Sequence, residues 1–121
     1  MTKYQATIQS VGELAGEFIA EGILVFFATN APEELQETAL VHDCTSEPAA
    51  PVQPGDFVRL DQHAYEVLAV GKVANENLKN LGHLVLKFNG LKEPEMDGDV
   101  TLPAVPVPDL GPGSTLIIED R

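Results

Sequence analysis

The chain has 121 residues, 44% of them hydrophobic and 21% charged, with seven Lys and Arg against nineteen Asp and Glu for a formal net charge of −12. That length supports one domain spanning 1–121 and no second core, the apolar share excludes wholesale disorder, and the charge excludes nucleic acid and anionic membrane surfaces while favouring a basic protein partner. The lone cysteine, Cys44, allows neither an internal disulfide nor a zinc cluster and fits a reducing compartment.

Residues 4–11 alternate loosely and read as a first strand. Residues 22–28, Gly-Ile-Leu-Val-Phe-Phe-Ala, form the longest apolar run. It is far short of the roughly 20 residues of a spanning helix and suits a strand buried on both faces. The first residues lack the apolar segment of a signal peptide. A cytoplasmic protein without stable membrane insertion is therefore expected. Pro32 followed by Glu33 and Glu34 suits a short helix to about Thr38, since acids stabilise a helix N-terminus. Residues 39–45, if a strand, set the surroundings of His42, and the proline-bearing stretch 46–55 reads as a rigid loop.

Residues 57–60 and 64–70 flank the polar tip Asp61-Gln62-His63, a hairpin signal. Asn75 can cap a second helix through Leu81, with Gly82 in the left-handed position that stops it. In the strand 84–88, Leu84, Leu86 and Phe88 share one face. Residues 99–102 and 115–118 complete the set, with prolines between them. Pro54-Gly55 and Pro112-Gly113 each launch a strand. Many short strands with Gly/Pro turns and two short helices predict an all-β fold, a small barrel or sandwich.

No CxxC, HExxH, GxGxxG, P-loop or GxSxG is present, so chemistry falls to the three histidines, which titrate near neutrality. On a strand, Leu40, His42 and Cys44 share a face and Asp43 points away. Partial desolvation there keeps the His42 ring neutral and nucleophilic, able to accept a phosphoryl group and pass it on. Filling space beside Leu40 is the plainer account of His42 on pattern alone. His83 opens a strand and shares a face with Val85 and Lys87, so it is equally a surface residue or a partner for phosphoryl oxygens. His63, at a hairpin tip, needs no function.

A Cys44–His42 hydrolase is disfavoured, because the i, i+2 spacing sets the side chains about 6–7 Å apart. No Lys or Arg lies between Lys3 and Arg59, while nine acids do. A phosphoryl group on His42 would thus draw on backbone N–H groups, hydroxyls or a partner's cations. The acids themselves steer a positively charged protein donor, or simply keep the surface soluble.

Residues 60–71, Leu-Asp-Gln-His-Ala-Tyr-Glu-Val-Leu-Ala-Val-Gly, and residues 73–91, from Val73-Ala74-Asn75-Glu76-Asn77-Leu78 through Gly82-His83 to Gly90-Leu91, resemble the glucitol/sorbitol-specific IIA component of the bacterial phosphoenolpyruvate-dependent sugar phosphotransferase system. The likeness extends to Val105-Pro106-Val107-Pro108-Asp109 and Pro112-Gly113-Ser114, and is weakest over 46–54. It implies an all-β cytoplasmic phosphocarrier, a phosphotransferase component that takes a phosphoryl group from HPr on a histidine. That group would pass to the cognate IIB domain of the sorbitol permease (IIB/IIC), with no cofactor and no metal. The family's phosphorylated histidine matches His42, and the strand pattern adds His83 as candidate stabilising partner. Such a relay requires a neutral ring at position 42 that a docking protein can reach. The alternative is a non-catalytic β-barrel module that binds or regulates, with His42 structural.

Overall fold

A computed structural model describes residues Met1–Arg121. Nine strands form one curled half-barrel sheet in the order β5-β4-β9-β1-β3-β2-β7-β8-β6. The strands are β1 (Thr2–Val11), β2 (Ile23–Ala28), β3 (Leu40–His42), β4 (Phe57–Leu60), β5 (His63–Glu66), β6 (Ala69–Val70), β7 (Leu84–Phe88), β8 (Asp99–Leu102) and β9 (Thr115–Glu119). Three helices accompany them: α1 (Ala15–Ala20), α2 (Glu33–Gln36) and α3 (Ala74–Leu81). The all-β reading holds, and α1 is a third helix that periodicity does not signal, because six residues make too short a window.

The alternating pattern selects the concave face. Tyr4, Ala6 and Ile8 of β1, Leu24 and Phe26 of β2, Leu84, Leu86 and Phe88 of β7, and Leu116 and Ile118 of β9 join one buried core. A smaller cluster of Phe27, Ala31 and Ala39, with Val25 and Leu81 against it, lies behind β2. The pair β2–β3 is parallel, with Phe26 opposite Leu40 and Ala28 opposite His42. That pairing requires a crossover, which the segment containing α2 supplies.

Several boundaries move for identifiable reasons. The strand considered over 39–45 ends at His42, where Asp43 is pinned across to β1: its N–H donates to the Thr7 carbonyl at 3.1 Å, and its carboxylate accepts the Thr7 N–H at 2.8 Å. The expected strand 64–70 splits, because β5 pairs with β4 and β6 pairs with β8. Asn75 lies inside α3 rather than at its cap, and its side-chain amide is spent on Val52, accepting that N–H at 2.7 Å and donating to that carbonyl at 3.1 Å. Gly82 does end α3 in the left-handed region, at φ +60°.

Candidate functional site

β3 delivers His42 to the concave face at the end of the strand, opposite Ala28 of β2 and Ile8 of β1. Its ring is 0% exposed. Nε2 lies 2.9 Å from the Gly82 carbonyl, and the Cys44 N–H donates to Nδ1 at 3.1 Å. A carbonyl can only accept and an N–H can only donate, so the ring carries its proton on Nε2 and its lone pair on Nδ1. The Tyr4 ring stands edge-on to it, centroids 5.8 Å apart at 86°. Burial pushes the His42 pKa down, against smaller upward pulls from the Gly82 carbonyl and the Asp43 carboxylate. The ring is therefore neutral at pH 7, as the sequence pattern predicts.

Reach is a different matter. The relay expectation needs a ring open to a docking protein, and in this conformation His42 is sealed on every side. The cover is short. Asp43 is fixed to Thr7, and the Ala49 N–H donates to the Lys3 carbonyl at 2.8 Å. Between those anchors, residues 44–48 hold to the body of the protein through the packing of the Cys44 side chain against the core and two hydrogen bonds: Cys44 N–H to His42 Nδ1, and Tyr4 Oη donating to the Cys44 carbonyl at 3.1 Å. Thr45, Ser46 and Glu47 are exposed. An open cleft of about 490 Å³ separates 47–51 from Asn75, Glu76 and Lys79 of α3.

Gly82 is a close approach rather than only a helix stop. A Cβ there would come within 2.7 Å of His42 Cε1 and 2.7 Å of Ala28 Cβ. Its carbonyl can reach the ring because no side chain intervenes.

His83 is not brought to His42. One residue on, its ring lies on the convex side, stacked on Phe27 with centroids 4.1 Å apart at 10°, whereas His42 faces the core with Leu40 and Phe26. Its Nδ1 lies 3.2 Å from the Phe26 carbonyl, to which it donates, while Nε2 makes no hydrogen bond within the chain. Half-burial lowers its pKa. Lys87 does not reach either histidine site. Its Nζ pairs with Asp99 at 2.8 Å and with Glu95 at 3.8 Å, four residues or roughly 13 Å along the strand from His83. His63 is exposed at the start of β5. Cys44 presents its backbone N–H, and not its thiol, to the imidazole. Tyr4 and Gly82 are the contacts that local sequence does not announce, since each is 40 residues from its partner.

The chain is similar to known proteins in sequence and in fold. A family model described as the PTS system glucitol/sorbitol-specific IIA component matches residues 3–117. The chain belongs to that family. Two relatives, from Shigella flexneri and from Escherichia coli strain K12, are each described as a PTS system glucitol/sorbitol-specific EIIA component. Each is 43% identical over 117 residues, covering 96% of this chain and 94% of the relative. The crystal structure of a PTS system IIA component from Enterococcus faecalis V583 superposes with a TM-score of 0.79 at 24% identity, covering 93% of this chain and 97% of that one, which shows the same fold. This IIA component is thus a phosphocarrier of a sugar phosphotransferase system and works with phosphoryl-transfer partners of that system. No helix in it is long and apolar enough to cross a membrane.

Proposed function

We propose that the whole chain acts as one cytoplasmic carrier that takes a phosphoryl group from HPr on His42. It then gives the group to a cysteine of the IIB domain of a glucitol (sorbitol) permease. The observation that carries this reading is the neutral His42 imidazole, whose lone-pair nitrogen has the Cys44 amide as its hydrogen-bond partner. A lone pair on imidazole forms the new N–P bond as the P–N bond to the donor histidine breaks and its electrons return to the donor ring. With each phosphorylated ring carrying a proton on its other nitrogen, as His42 does on Nε2, no proton has to move, and one phosphohistidine replaces another. The step is nearly thermoneutral, so the protein contributes position and charge stabilisation rather than a large barrier reduction.

Displacement of the Cys44 amide precedes attack. Within 44–46 the donors open to a phosphoryl group are neutral, the backbone N–H groups and the hydroxyls of Thr45 and Ser46. Lys3, next to Tyr4 in β1, is committed to Asp56 at 2.7 Å and to the Pro51 carbonyl at 2.9 Å. A glucitol substrate rests on the family description, and the chemistry needs neither metal nor nucleotide.

A second reading has its own observation. His83 anchors Nδ1 to a carbonyl and leaves Nε2 without a protein partner on a half-buried ring, an arrangement that needs no opening. Incubation with phosphoenolpyruvate, enzyme I and HPr, followed by intact mass, separates the two. The His42 reading expects one acid-labile phosphoryl group that His42→Ala abolishes and His83→Ala retains. The reverse pattern moves the site to the convex face, and no label in the wild-type chain makes it a binding module.

A further inference from the structure

We infer that Tyr4 is the latch on the 44–48 flap that covers His42, an inference whose functional meaning rests on His42 as the acceptor. The side chain touches both partners of the closure. Its ring edge packs on the His42 imidazole at 5.8 Å, and its hydroxyl holds the Cys44 carbonyl at 3.1 Å. The carbonyl and N–H of Cys44 thus face two side chains of one buried pair, with Tyr4 gripping the former and His42 the latter. Freeing the imidazole nitrogen breaks both bonds together. Everything beyond them is pinned independently: Asp43 to Thr7, Ala49 to the Lys3 carbonyl, Val52 to Asn75 and Asp56 to Lys3. Opening is therefore confined to five residues and does not require the sheet to come apart.

When the flap lifts, the phenol stays where the sheet holds it, on β1 against the His42 ring. It has then lost its acceptor. Burial holds its proton on at any working pH, so it remains a donor. An N-phosphoryl group on His42 would supply new acceptor oxygens. The hydroxyl thus exchanges a carbonyl in the closed state for a phosphoryl oxygen in the open one, and both states keep it satisfied.

Tyr4→Phe tests this, since it keeps the packed ring and removes only the hydroxyl. The unphosphorylated protein is treated with diethyl pyrocarbonate, and carbethoxylation of each histidine is followed by peptide mass. Loss of one hydrogen bond that exists only in the closed state predicts His42 modification roughly three- to ten-fold faster than wild type. His83, outside the flap, should react at an unchanged rate. Equal His42 rates, or equal acceleration at both histidines, would overturn the latch, the second because it reports general loosening. Hydrogen exchange on the wild-type chain tests the same point without a variant. The Cys44 amide should exchange through an opening that leaves the amides of Asp43 and Ala49 protected, whereas exchange only with global unfolding rejects the flap. Neither readout involves phosphoryl transfer. Label retained in His42→Ala therefore defeats the acceptor assignment alone, and unaltered modification in Tyr4→Phe defeats the latch alone.

Discussion

His42 shows how a side chain is kept reactive by being withheld from water. Charging the ring would put an imidazolium in an enclosure where the Gly82 carbonyl and the Asp43 carboxylate compensate less than burial costs, so the neutral form wins. His83 is lowered for the same principal reason, burial against Phe27. For a base whose folded pKa lies below its ordinary value of 6.5, the unfolded chain binds more protons once the pH falls below that value. The stability from a neutral ring is full above 6.5 and is lost as pH drops from there towards the depressed native values. Relief of the −12 charge acts in the opposite sense, so the readout is a difference. Thermal melts between about pH 5 and pH 8 should show wild type losing more Tm on acidification than His42→Asn. Parallel curves would mean that the folded and unfolded imidazoles titrate alike.

At the scale of elements, the segment from Ala49 to Asp56 is a strap fastened across the concave face. Lys3 and Asp56 form an ion pair with both side chains 7% exposed, and Asp56 also accepts the Gln53 N–H at 2.8 Å. Removing one partner strands a charge without water. Lys3→Met should therefore cost about 3–5 kcal/mol in urea denaturation, and Lys3→Met with Asp56→Leu should recover a substantial part of that loss. A single variant within about 0.5 kcal/mol of wild type would show that the pair is hydrated and the strap loose.

How far elements are legible depends on the range of their contacts. The β4–β5 hairpin follows from Asp61-Gln62 between two apolar runs, and α3 ends where Gly82 requires, since both signals act within a few residues. The break between β5 and β6 does not follow, because it is set by different partner strands, β4 and β8. Asn75 misleads for the same reason. Its amide looks like a cap and is used instead on a loop 23 residues away.

Across the whole molecule, the acids between Glu13 and Glu47 stay unneutralised. Glu13, Glu17, Glu21, Glu33, Glu34, Glu37 and Glu47 are all exposed, and none forms an ion pair. Such a field accelerates encounter with a basic donor and is screened beyond about 8 Å at physiological ionic strength. The second-order rate of phosphoryl acceptance from HPr should fall as salt rises, with little change in the final extent of labelling. A rate indifferent to salt would assign these carboxylates to solubility.

The sequence by itself determined the all-β class, the helix stop at Gly82 and the neutrality of His42, because composition, two-residue alternation and local turn chemistry act over short spans, and the likeness of residues 60–71 and 73–91 separately marked the chain's kinship with the IIA family. Tertiary structure alone decided that His42 and His83 lie on opposite faces, that Lys87 is spent on Asp99, and that Tyr4 and Gly82 enclose the imidazole. Those outcomes depend on which strands pair and in what register, and a pairing between residues 40 positions apart leaves no mark in either neighbourhood.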